Sequence, residues 1–343
     1  MGVQLGGMIH RTEISLGDIR GRALAVDASS IIHQFLALVR YPTGVPLMDQ
    51  EGHVTSSLAG LFYRSSKLTY LHGIDLLFVF DGRAPPIKHS WLTPEEREKR
   101  RERYERTLRE WRQSLRRGDL RTAFSKAVTT GMIDSDIIGD AKRLLRLLGI
   151  PIVQAPGEAE AQATHIVRSG RAWAVNSRDF DCLLFGAPRM ARYISIAGIY
   201  RGTGMPSRPE VIELAATLRK LGIKRSQLID MAILMGTDYN RGLKGIGPRS
   251  ALNLIRTHGK LEKMPPEIAL RLPDNIDEIR SNFREPLIDT SYRPVVGELD
   301  PEGVVEFLCR ERGFRENSVR SALERMVRAR APGKQSDLGN WLG

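Results

Sequence analysis

Between positions 150 and 186 lie four carboxylates in two close pairs. Glu158 pairs with Glu160 and Asp179 with Asp181, each pair split by a single residue. Each pair follows an apolar run, 150–153 and 172–175, that reads as a buried strand. Three further acids obey the same grammar. Asp27 closes the run 21–27, Asp81 follows the apolar run 75–80, and Asp238 follows a helical pattern over 225–235. Loops beyond the carboxyl ends of strands are where α/β sheets build sites. Acids converging there repel one another. Keeping them ionised takes a cation, and an all-oxygen ligand set suits magnesium or manganese. The same acids also suit helix N-termini, as caps or as favourable charges in a first turn, so both readings stand at this point. Residues two apart are about 200° apart around a regular helix. Glu158 and Glu160 therefore meet only if one acts through a water or from the bend that opens the helix. Asp179 and Asp181 face the same limit unless their segment is extended.

The elements that must position these acids alternate. The first fifteen residues are polar and glycine-rich at the start. A helix is expected over 29–41, with Ile31, Ile32, Phe35, Leu36, Leu38 and Val39 at helical spacing, and another over 55–71. An amphipathic helix is expected over 134–149 and a helix over 158–168. One or two strands are expected over 192–200, then helices over 209–221, 225–235 and 249–256. Terminal helices are expected over 298–312 and 317–330.

Two stretches carry cations rather than acids. Pro94 suits the first position of a helix, and the run 97–121 that follows is crowded with arginine and has only a thin apolar stripe. It reads either as a solvated face laced with ion pairs to Glu102, Glu105 and Glu110, or as a basic arch over the acids that holds a phosphate backbone. In 242–248 small residues (Gly242, Gly245, Gly247) lie beside Lys244 and Arg249, ahead of a helix. Backbone amides and a helix N-terminus there suit a phosphate; a plain tight turn is the other reading. After Pro332-Gly333 a short tail carries Leu338, Trp341 and Leu342, which share one face in a single helical turn. An aromatic there suits a docking anchor.

The chain has 343 residues and a formal charge of +12, which favours a polyanionic partner. Two cysteines, Cys182 and Cys309, cannot build a disulfide framework. The N-terminus lacks a signal-peptide pattern, and no apolar run approaches the roughly 20 residues that span a bilayer. An intracellular protein without a membrane partner is the expectation.

These residues closely resemble the archaeal flap structure-specific endonucleases of the 5′ nuclease superfamily. The resemblance is carried by Val26-Asp27-Ala28-Ser29, Phe80-Asp81-Gly82, Ala155-Pro156-Gly157-Glu158-Ala159-Glu160-Ala161, Asp179-Phe180-Asp181-Cys182-Leu183-Leu184-Phe185-Gly186 and Gly236-Thr237-Asp238-Tyr239-Asn240. It runs almost end to end. It implies an α/β fold: a twisted, mainly parallel sheet flanked by helices, PIN-like, with a helical arch and a helix-two-turn-helix hairpin. It implies two magnesium ions per subunit, with manganese as a substitute, on Asp27, Asp81, Glu158, Glu160, Asp179, Asp181 and Asp238. Lys88 and Arg100 would act at the scissile phosphate. Lys244, Gly245, Gly247 and Arg249 would hold downstream duplex, often with a potassium ion, while Glu158 would also lie against the DNA. His33 stands where the family has a stacking tyrosine. Gln335, Leu338, Trp341 and Leu342 resemble a sliding-clamp (PCNA) peptide in which Leu342 replaces a second aromatic.

The expected activity is hydrolysis of a 5′ flap at its junction with duplex, with 5′–3′ exonuclease activity, leaving a ligatable nick in Okazaki fragment maturation and base excision repair. A monomer, in the cytoplasm or nucleoid of an archaeon, is implied. The implied divisions are a nuclease region at 1–98, an arch at 83–130, and an internal nuclease region at 116–258 holding the hairpin motif at 228–256. A helical region at 259–330 and a tail at 331–343 with the clamp peptide at 335–343 complete the chain. Two rivals are another nuclease of the superfamily and a non-catalytic DNA-binding scaffold; seven mutually repelling acids argue against the scaffold.

Overall fold

The computed structural model describes residues 3–39, 41, 46–88, 90–116, 135–198, 207–295 and 297–329. The Arg100 side chain, the part of the expected arch from 117 to 130 and the tail residues Gln335, Leu338, Trp341 and Leu342 lie outside the described residues.

Short, largely apolar runs build the centre of the sheet, and shorter polar-flanked segments its β6, β7 and β1 side. The strands are β1 (Thr12–Glu13), β2 (Ala23–Asp27), β3 (Asp75–Phe80), β4 (Ile152–Gln154), β5 (Ala174–Asn176), β6 (Arg189–Arg192) and β7 (Glu210–Glu213). Their order is β1-β7-β6-β5-β2-β3-β4. The five central strands, β6 to β4, are parallel, and β7 and β1 add antiparallel at one edge. The mainly parallel sheet expected from the sequence is present. Asp27 pairs with Val79, Val26 with both Phe78 and Asn176, and Phe80 with Gln154, so the strand ends lie level.

Alternate residues of the central strands feed two cores. Ala25, Leu77, Val79, Val153 and Val175 face one; Leu24, Val26, Leu76, Phe78 and Ala174 face the other. Strands covered on both faces read as continuous apolar runs, which is why β2 and β3 are legible. Helices α1 (Ala28–Leu38), α2 (Ser56–Gly60) and α3 (Pro94–Arg116) come first, then α4 (Ser135–Leu147), α5 (Ala159–Arg168) and α6 (Asp181–Phe185). They are followed by α7 (Leu214–Leu221), α8 (Arg225–Met235), α9 (Pro248–His258), α10 (Pro266–Ala269) and α11 (Ile276–Arg284). The last are α12 (Pro301–Val305) and α13 (Glu316–Ala329). Helical turns continue α2 to Leu71 and α12 to Glu311.

Two expectations are corrected. The strand expected within 192–200 lies earlier, at Arg189–Arg192, and the chain turns immediately after it at Tyr193, a non-glycine residue with φ of 61°. The helix expected over 209–221 opens as strand β7, in which Val211 and Ile212 are buried, Glu210 is partly covered and Glu213 is exposed. In the polar, glycine-rich N-terminal stretch, Val3, Leu5 and Ile9 are buried in the core shared with α5 and α8.

Candidate active site

All seven acids stand at the carboxyl ends of the parallel strands or on the loop after α8. The sheet order reverses between β2, which runs on to β3 and β4, and β5, which lies on the other side of β2. Such a switch point opens a crevice above the strand ends.

Asp27 ends β2 and caps α1, accepting Ser30 N–H at 3.0 Å. Its other oxygen accepts the Ser177 hydroxyl at 2.7 Å. Asp81 follows β3, accepting Ala159 N–H at 2.9 Å and the Ser29 hydroxyl. Gly82 permits this: a Cβ there would lie 2.2 Å from the Ala155 carbonyl oxygen, so the loops after β3 and β4 approach this closely because the residue is glycine. Asp179 accepts Asp181 N–H at 3.0 Å. Asp181, the first residue of α6, accepts Val3 N–H at 3.0 Å. The N-terminal segment thus orients an acid 178 positions away.

Glu158 occupies the N-cap position of α5, in extended backbone, but its side chain makes no cap bond. It accepts Lys88 Nζ at 2.5 Å and the Tyr239 hydroxyl instead. Capping and convergence therefore coexist at Asp27, while at Glu158 convergence wins. The backbone bend also answers the 200° limit: Glu158 lies outside the helix and Glu160 within it, so each faces different neighbours. Asp179 likewise precedes α6 and Asp181 begins it.

The charges feel one another. Burial, then Asp81, pushes Asp27 up to about 7. Burial, followed by the charges of Asp27, Asp81 and Asp179, raises Glu160 well above the usual carboxylate range. Asp181 is raised likewise by burial, then by Asp179, with Asp238 and Glu158 adding to it. Lys88 answers on one flank. Burial works against its charge, yet Glu158, Asp238 and Glu160 hold it above the usual lysine range. Its Nζ is 3.5 Å from Asp238 Oδ2. Among the described residues no three or more His, Cys, Asp or Glu side chains are grouped tightly enough to enclose a metal as they stand. The donor set fits a hard divalent cation all the same: every acid offers oxygen, and burial with mutual repulsion disfavours the charged form of several until a cation balances it.

An open cleft of about 970 Å³ borders the acids, lined among others by His33, Glu160, Arg178, Asp179, Arg192 and the glycine turn at Gly6-Gly7. His33 is thus brought to the acids. Lys244, Gly245 and Gly247 lie between α8 and α9, Arg249 is in the first turn of α9, and Pro248 among them also lines the cleft. Gly245 has φ of +86°, which a side chain resists, but Gly247 is extended at φ of −94° with open space where a Cβ would go. The conformational reason for glycine holds at Gly245 alone.

Sequence reading gave no role to Ser29, Ser177, Val3 or Tyr239. Ser29 lies two residues past the end of β2 and Ser177 directly follows β5, a local signal. Tyr239 beside Asp238 is another, since burial and Glu158 raise its hydroxyl far above the usual range and keep it a donor. Nothing local marks Val3.

This chain matches the pattern of the XPG N-terminal domain over residues 1–106 and of the XPG I-region over residues 149–238. It is 42% identical over 342 residues to flap endonuclease 1 of Methanothermobacter thermautotrophicus, covering 100% of both chains. It is 41% identical over 349 residues to flap endonuclease 1 of Pyrococcus furiosus, covering 100% of this chain and 99% of that one. Among solved structures, flap endonuclease-1 from Methanococcus jannaschii aligns with a TM-score of 0.75 at 32% identity, over 96% of this chain and 98% of that one. The catalytic core of Rad2 in complex with DNA substrate aligns with a TM-score of 0.67 at 25% identity, over 94% and 97%.

A central sheet flanked by helices, with acids massed at its strand ends, defines a nuclease of the XPG class. The chain belongs to the flap endonuclease 1 family. It is a structure-specific nuclease acting on branched DNA. Its relatives support an archaeal origin. No helix among the described residues is long and apolar enough to cross a membrane.

Proposed function

We propose that the chain cuts a 5′ flap at its junction with duplex, using two divalent cations held by Asp27, Asp81, Glu158, Glu160, Asp179, Asp181 and Asp238. One observation carries this: seven carboxylates gather at the strand ends and on the loop after α8, where burial and mutual repulsion raise Asp27, Glu160 and Asp181, and Lys88 is drawn between Glu158 and Asp238. When bound, magnesium or manganese supplies positive charge to the attacking and leaving oxygens of the phosphodiester and an activated water.

The chain's own groups do the rest. Glu158 is drawn between Lys88 and Tyr239, which fixes its direction. Lys88 stands where it can donate to a phosphate oxygen as negative charge develops; Arg100, from the same helix root, is assigned to the same phosphate. His33 presents a ring at the cleft mouth on which a base can stack. The hairpin residues Lys244, Gly245, Gly247 and Arg249, with a potassium ion, grip downstream duplex. We assign the arch to 83–130 and the hairpin motif to 228–256, within a nuclease region at 1–98 and 116–258 followed by helices at 259–330. We also assign Gln335, Leu338, Trp341 and Leu342 to a sliding clamp and the chain to a monomer, and place the reaction in Okazaki fragment maturation and base excision repair.

A labelled double-flap duplex tests the centre of this reading. Asp179→Ala and Asp181→Ala should abolish cleavage in magnesium while flap binding persists, with EDTA as the metal-free control. Turnover within about 10-fold of the parent, far short of what a lost charge-stabilising group costs, would overturn it.

A further inference from the structure

The root of α3 is fastened to the loop carrying Asp238 by three side chains outside the acid cluster. Trp91 donates its indole N–H to the Asp238 carbonyl oxygen at 3.3 Å. The Arg241 guanidinium lies over the Trp91 ring, 5.3 Å from its centroid. Arg241 also donates to Glu96 Oε1. Glu96 divides its oxygens, for Oε2 accepts Thr93 N–H at 3.0 Å while Thr93 Oγ1 accepts Glu96 N–H at 3.1 Å. That reciprocal capping box fixes the first turn of α3. Arg97 secures the approach, donating to the carbonyls of Leu92 at 2.9 Å and Ser90 at 3.1 Å.

The segment so held begins at Lys88. Its Nζ lies between Glu158 and Asp238, and Asp238 is itself gripped through its carbonyl by Trp91. One clasp therefore holds both partners of the Lys88–Asp238 contact. Removing it would leave each on a loop end free to move relative to the other, and small misplacements of a catalytic group are costly.

We propose that Trp91, Glu96 and Arg241 are positioning residues that keep Lys88 and Asp238 in register for cleavage. This rests on the roles given above to Lys88 and Asp238. None of the three touches the reacting atoms. Arg241 serves because its planar fork can stack on an indole and bond a carboxylate at once, which a lysine ammonium cannot reproduce. Its side chain is 64% exposed, so the fold does not depend on it.

Single-turnover cleavage of the double flap at saturating enzyme, compared with flap binding, tests the clasp. Arg241→Ala and Trp91→Ala should each slow cleavage about tenfold, or about 1.4 kcal/mol of barrier. Binding should stay within about twofold, which separates positioning from grip. The double variant should be no slower than the worse single one, because either change opens the same clasp. Arg241→Lys should recover only part of the rate. In a Lys88→Ala background, Arg241→Ala should add little. An unchanged cleavage rate for Arg241→Ala beside a slow Lys88→Ala would overturn the clasp alone. So would a loss confined to binding, which would make Arg241 a phosphate contact, or an undiminished loss in the Lys88→Ala background. A Lys88→Ala enzyme as fast as the parent would instead remove the reading of Lys88 and the clasp with it.

Discussion

Buried charge is handled in opposite ways in two regions of this fold. Between α8 and α11, Arg280 donates to both oxygens of buried Asp230 at 2.7 and 2.8 Å, and also to Glu262. The network is closed within the chain. Its Arg280 bonds hold Glu262 down at about 2, and Asp230 and Glu262 keep Arg280 above the usual range against burial. At the strand ends the arithmetic is reversed: among the described residues the acids outnumber the cations bonded to them, and burial with mutual repulsion drives Asp27 up to about 7. The first arrangement ties α8 to α11 and Glu262. The second leaves a demand for positive charge that a bound cation would meet. Charge balance, rather than burial, separates structure from chemistry here.

Variants that neutralise one acid or one arginine should break the comparison in opposite directions. Asp27→Asn should lower flap cleavage in magnesium by about 10²-fold or more, measured in single turnover; a rate near that of the parent would remove Asp27 from the site. Arg280→Ala should do the reverse. It leaves Asp230 buried and unpaired, at a cost of about 3–5 kcal/mol or a drop in unfolding midpoint of roughly 10 °C. Cleavage per folded molecule at low temperature should persist. If cleavage vanishes while the fold stands, the network is part of the site rather than its support.

Smaller effects sharpen the contrast. In EDTA, Asp27→Asn should raise the unfolding midpoint by roughly 2–4 °C, since it relieves repulsion and an amide still offers an oxygen to Ser30. A fall would mean that the Ser177 hydroxyl bond, which an amide nitrogen cannot accept, is worth more than the repulsion relieved. Glu262→Gln should cost least, at most about 1 kcal/mol, because its side chain is 49% exposed and solvent already screens it. A cost as large as that of Arg280→Ala, read by denaturant unfolding, would show that Glu262 and not Asp230 is the principal partner.

The acids were legible because each follows a local pattern. An apolar run ending in Asp27 or Asp81 announces a buried strand and what lies at its end. Helices such as Arg225–Met235 were legible because periodicity is a property of neighbours in the chain. Strand β7 was not. With Glu210 and Glu213 flanking Val211 and Ile212, its four residues carry too few turns of either period to tell strand from helix. The helices between 259 and 297, short and interrupted, were expected only as part of a helical region at 259–330 and not individually, for a similar reason.

The sequence by itself determined which residues are acidic, that they stand at element ends, and that a basic helix root and a glycine hairpin accompany them. Those facts depend on side-chain type and on spacing within one turn or one strand. Only the tertiary structure decided how the acids are shared out. It set β5 beside β2, freed Glu158 from capping and gave it to Lys88 and Tyr239, and seated Val3 N–H on Asp181. It also closed Trp91, Glu96 and Arg241 into one clasp. Each of these joins residues tens to hundreds of positions apart, and what brings them together is the packing of two apolar cores about one sheet, which no local pattern records.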